Sequence, residues 1–140
     1  MLMVGSYTKD YVDACRAKVA AQLASYRNVL AAKPSEIDAF ERQLFNHMIL
    51  ALDHYFVHRS RTMEGKDGNP LNEVRMLCNA IMENEGRMSA DKTIRYKPET
   101  SILQFKAGDE IRLSADDFAR LSAAFFDEVE KRYPVTVSRA

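Results

Sequence analysis

A chain of 140 residues is long enough for one domain with a proper core and too short for two. Its composition, 46% apolar and 29% charged with only five glycines and four prolines, excludes a disordered or low-complexity polypeptide. Basic and acidic residues balance at twenty each, so no overall positive field exists to hold nucleic acid or an anionic membrane, and any anion site must be local.

From Thr8 to Lys33 apolar residues recur at helical spacing, with Val12, Cys15, Val19, Leu23, Tyr26 and Leu30 on one stripe and Pro34 as the stop. Ser35, with Asp38 three residues on, supplies a capping box for a second helix that the pattern carries to about Thr62. Ile37, Phe40, Leu44, Met48, Leu52 and Tyr55 form its stripe, but Phe45, Ile49, Leu50, Phe56 and Val57 fall on other faces. A helix apolar nearly all round must be covered on more than one side. At 1.5 Å per residue it would run roughly 40 Å, about the width of a whole domain of this size, which fits a central helix or a dimer seam.

Asn69 and Pro70 read as the cap and first position of a third helix with Leu71, Val74, Cys78, Ile81 and Met82 on its apolar face, ending at Gly86. The period then changes. "TIRYKPETSILQFKAGDEIRL" is rich in β-branched and aromatic residues, with Pro98 and "AGDE" as turn signals, and predicts two or three short antiparallel strands. Ser114, followed by Asp117, caps a last helix through Phe118, Leu121, Phe125, Val129 and Tyr133, stopped by Pro134. The expected fold is therefore mainly α: a single helical domain over residues 1–140, four helices in a bundle-like arrangement, with a small antiparallel β meander between the third and fourth. The apolar girth of the second helix suggests a homodimer.

The N-terminus "MLMVGSYTKDY" lacks the basic start and apolar run of a signal peptide, and the longest wholly apolar run is Met48–Leu52, far short of a membrane span. A cytoplasmic protein is expected, with Cys15 and Cys78 as reduced core thiols.

Most chemical motifs fail on inspection. "GKDGNP" lacks the earlier glycine and the following Ser or Thr of a phosphate loop. Asp67 and Asn69 start like a calcium loop that Pro70 and Leu71 then break. No nucleophile elbow, zinc-ligand cysteine pair or dinucleotide fingerprint is present, and no cofactor is expected. Arg42 and His47 have the Arg-x4-6-His spacing of HEPN-type ribonucleases, but five positions along a helix turn through about 140°, so the two side chains would diverge. His47, His54 and His58 share a stripe on a continuous second helix. Only His54 and His58, four apart, could chelate one metal there, with Glu73 or Asp67 as the third ligand.

The stretch with the most chemistry is "HRSRTMEGKDGNPLNE", His58 to Glu73. Cations gathered where one helix ends and the next begins suit a small anion, and two arginines could grip it bidentately. The candidate ligand-binding residues are His58, Arg59, Arg61, Lys66, Asn69, Asn72 and Glu73. His58 is the best candidate for a general acid or base, should the protein be an enzyme. The structural alternative assigns the same residues to turn and cap chemistry, with Glu64, Asp67 and Glu73 neutralising the cations. "LDHYFVHRSR" followed by "GKDGNPLNEV", with the likeness extending through "AFFDEVEKRY", resembles an uncharacterised bacterial protein family, and the resemblance implies no activity, cofactor or catalytic residue. Three functions thus stay open: a binder of a small anionic ligand, a homodimeric structural or regulatory interaction module without catalysis, and a metalloprotein built on His54 and His58.

Overall fold

The structure, a computed structural model, describes residues 5–32 and 38–136. Helix α1 (Lys9–Ala32) buries Val12, Cys15, Val19, Leu23 and Tyr26, the stripe expected from its periodicity. Helix α2 (Asp38–Tyr55) packs against α1, and against the later helices α4 (Pro70–Glu83) and α5 (Ala115–Arg132). Helix α5 in turn touches α1, α2 and α4, so the core lies among the four long helices.

The buried face of α2 is Phe45, Met48, Ile49, Leu52, with Phe56 just beyond the helix, while Leu44, Leu50 and Tyr55 are half-buried shoulders. Phe40, expected on the stripe, is 55% exposed. Its companion Ile37 and the Ser35 cap lie outside the described residues. The helix also stops sooner than periodicity suggests. After Tyr55 the chain tightens into i→i+3 bonds, Phe56 N–H donating to Asp53 O at 3.1 Å and Val57 N–H to His54 O at 3.3 Å. The Arg59 side chain folds back over that end and donates Nη1 to the carbonyls of Phe56 (3.3 Å) and Asp53 (3.4 Å). Carbonyls left without amide partners at a helix C-terminus are satisfied by such a cation. A single turn, α3 (Arg61–Glu64), follows, closed by Gly65 at φ +72°, where a side chain would be strained.

Asn69 caps α4, its Oδ1 accepting from the amides of Leu71 (3.0 Å) and Asn72 (3.2 Å). Ser114 and Asp117 form the reciprocal box at the start of α5, at 3.1 and 3.0 Å. On α5, Phe118, Leu121, Phe125 and Val129 are fully buried.

The antiparallel meander is not what residues 88–113 form. Apart from a 3-10 turn (Pro98–Thr100) and isolated bridges between Arg87 and Glu110 and between Asp67 and Arg95, the segment is irregular. The physical reason is competition for backbone donors. Glu73 accepts the amides of Ile102 and Leu103, both at 2.9 Å, Asp91 accepts those of Thr93 and Ile94, and Ser101 Oγ accepts that of Gln104. Met88, Ile94, Ile111 and Leu113 then pin the segment to the core. Among the described residues the one sheet is a parallel pair, β1 (Tyr7–Thr8) with β2 (Val135–Thr136), which joins the beginning of the described chain to its end. A parallel ladder needs a long connection, and here everything from α1 to α5 supplies it. No helix among the described residues is long and apolar enough to cross a membrane.

Candidate functional site at the α2–α4 junction

The chain between α2 and α4 wraps around one carboxylate. Glu64, at the end of α3, is fully buried. Arg59 Nε donates to its Oε2 at 2.6 Å, and Arg75 Nη2 donates to Oε1 at 2.8 Å and Oε2 at 3.1 Å. Arg61 reaches Oε1 at 3.5 Å. The second nitrogen of the Arg59 fork lies 2.8 Å from Asp53 Oδ1, an ion pair outside hydrogen-bonding geometry. Its guanidinium also lies over the Phe125 ring, 5.3 Å from the centroid, a contact favourable to a cation in a desolvated place. A fourth arginine enters from α5: Arg132 donates to the Glu64 carbonyl at 2.6 Å, pairs with Asp67 at 3.1 Å and binds Glu128.

These contacts close among themselves. Four arginines (59, 61, 75 and 132) face four carboxylates (Asp53, Glu64, Asp67 and Glu128), so the joint carries no surplus charge. Burial opposes the ionised form of Glu64, but Arg59 and Arg75 outweigh it and hold the carboxyl below its ordinary range. Glu64 is therefore ionised at neutral pH, with both of its oxygens engaged by guanidinium groups.

The amide side chains serve the same joint. Asn69 Nδ2 donates to the Glu64 carbonyl at 2.9 Å, and Asn72 bridges Arg61 (3.0 Å) to the carbonyls of Gly65 (3.2 Å) and Asp67 (2.7 Å). Tyr133 donates its hydroxyl to the Ser60 carbonyl at 3.1 Å, and burial, reinforced by Glu64, pushes its phenol up to about 12.

Of the seven residues that sequence places in a ligand site, Arg59, Asn69, Asn72 and Glu73 are buried inside the fold with their polar groups engaged. Glu73 turns away from the junction altogether, toward the loop at Ile102, and burial raises its carboxyl despite the two amides it accepts. Arg61 is partly exposed, and His58 and Lys66 are exposed. The Arg59 fork expected to share a bidentate grip on an anion is 1% exposed and already paired with Glu64.

The three-histidine stripe is also corrected. His58 lies in the turn beyond α2, so the helical i, i+4 geometry with His54 is lost. Glu73 and Asp67, the expected third ligands, are held by backbone amides and by Asn69 and Arg132. Among the described residues no group of three or more His, Cys, Asp or Glu side chains could hold a metal ion. Arg42 pairs with Glu110.

Sequence reasoning named Glu64 as one of three carboxylates neutralising the cations, and missed its partners Asp53, Arg75 and Arg132. Glu64, with arginines three and five positions upstream on a chain about to turn at glycine, is a local hint. Arg132 is 68 residues from Glu64 and leaves no local trace.

Comparison with known proteins finds no matching family model, no similar curated protein and no similar solved structure.

Proposed function

We propose that the protein is a non-catalytic helical interaction module that pairs with a second copy of itself through the apolar groove between α1 and α2. The observation that carries this reading is the groove itself. Val29 (52% exposed) and Phe40 (55% exposed) stand beside Ala21, Tyr26 and Leu44 around a hollow of about 360 Å³. Apolar side chains grouped this way on a chain with no net charge favour association with an equally neutral surface. The α2–α4 joint supports the same reading from the other side, since its conspicuous polar residues hold helices together and its charges cancel. In this account the four long helices act as a bundle that keeps the groove rigid, in a cytoplasmic protein whose two cysteines stay reduced. The joint gives no comparable support to an anion at the α2–α4 junction or to a His54–His58 metal centre.

Sedimentation equilibrium at micromolar concentration tests the proposal. The wild-type chain is expected to weigh as a dimer and Phe40→Glu as a monomer with an unchanged circular dichroism spectrum. A monomeric wild type, or a Phe40→Glu variant that remains dimeric, would overturn it.

A further inference from the structure

A second hollow adjoins the joint at Asp67 and Asn69, and its chemistry differs from that of the groove. It is a cleft of about 320 Å³ between the turn that leads into α4 and the loop that follows Ile94, lined by Asp67, Gly68, Asn69, Arg95, Lys97 and Thr100. Its two walls are held at a fixed distance. Arg95 N–H donates to the Lys66 carbonyl at 2.7 Å, and Asp67 and Arg95 form a bridge. At Gly68 the backbones come so close that a Cβ would sit 3.2 Å from Tyr96 Cα and 3.3 Å from the Arg95 carbonyl, so only glycine fits without a shift of the wall.

The charge in this cleft is uncompensated, unlike that in the joint. Asp67 is already neutralised by Arg132 and bonded by Asn69. Arg95 and Lys97 form no ion pair among the described residues, and both are exposed. Two cations without ion pairs therefore line a concave space beside a carboxylate that has its own partner. The α4 amides do not supply the attraction, because Asn69 already caps them.

We infer that this cleft binds a small phosphate monoester, with Arg95 and Lys97 on the phosphate and the Thr100 hydroxyl beside it. A phosphate monoester near neutral pH carries a charge of about −1.5 to −2, which matches the pair of cations, and a guanidinium offers it two parallel donors. The volume falls at the small end of ligand sites, which start at about 300 Å³, and suits a small phosphorylated metabolite better than a nucleic acid. The inference is independent of self-association, since the cleft and the α1–α2 groove share no residue.

Calorimetric titration of the full chain at low salt with glycerol 3-phosphate, inorganic phosphate and glycerol provides the test. Saturable binding of the two phosphates and none of glycerol is expected, with at least tenfold weaker binding in the double variant Arg95→Gln/Lys97→Gln. A control double variant that removes two exposed lysines elsewhere, Lys18→Gln/Lys106→Gln, should bind as the wild type does. No phosphate binding to the wild type, or equal weakening in both double variants, would overturn the site. Amide spectra of the unaltered protein give a second reading that does not depend on any variant folding. Glycerol 3-phosphate must shift Gly68, Lys97 and Thr100 selectively, and shifts confined to other residues would sink the assignment.

Discussion

The α2–α4 junction and the α1–α2 groove are opposites. The junction gathers the most polar stretch of the chain and buries Arg59, Glu64, Asn69, Asn72 and Glu73 within it, so that guanidinium and carboxylate groups answer one another. The groove is made of ordinary helix residues and leaves Val29 and Phe40 in water. The lesson is that conspicuous composition marks where a fold needs chemistry, whereas an unmet need marks where a second molecule can act. Buried ion pairs of this kind add little net stability over an apolar core, but removal of one partner strands the other and is expensive.

That asymmetry can be broken deliberately. The largest effect is expected for Arg59→Ala, which strips Asp53 of its arginine, takes one of the guanidinium partners from buried Glu64 and removes the contact with Phe125; a loss of about 3–5 kcal/mol in urea denaturation is predicted. Asn69→Ala removes the α4 cap and the bond to the Glu64 carbonyl. It should cost about 2 kcal/mol, at the upper end for caps because the site is buried. Phe40→Ser, by contrast, should change the stability of the folded chain by no more than about 0.5 kcal/mol at concentrations where it is monomeric, although the proposed self-association should be lost. The smallest effect belongs to the exposed pair of Lys9 and Asp13, 2.9 Å apart: Asp13→Ala should leave the urea unfolding midpoint where it is in the wild type. A groove variant that proved as damaging as Arg59→Ala would erase the distinction between the two regions.

Much of the fold was legible because long amphipathic helices announce themselves. The α1 and α5 stripes and the Ser114 box are local patterns, and the structure has them where periodicity places them. Legibility fails where a side chain takes over a backbone role. Arg59 ends α2 early by reaching back to its carbonyls, and Glu73, Asp91 and Ser101 take the amides that a meander would have used. Neither event follows from β-propensity or helical period, since both depend on neighbours brought close only by folding. The site shows the same limit. Its residues were visible as a cluster, but their partners Asp53, Arg75 and Arg132 come from three different helices.

The central claim is that the Glu64 carboxylate holds the junction together, and its pH dependence tests that most directly. The arginines hold its folded-state carboxyl below the ordinary value of 4.5. Its stabilising contribution is therefore fully present above that value and is lost as pH falls through the lower folded one. In urea titrations of the wild type and Glu64→Gln from pH 7 to pH 3, the variant should be about 3–5 kcal/mol less stable at pH 7, and the gap should narrow as the solution is acidified. Equal stability at pH 7, or a gap that widens on acidification, would contradict the account.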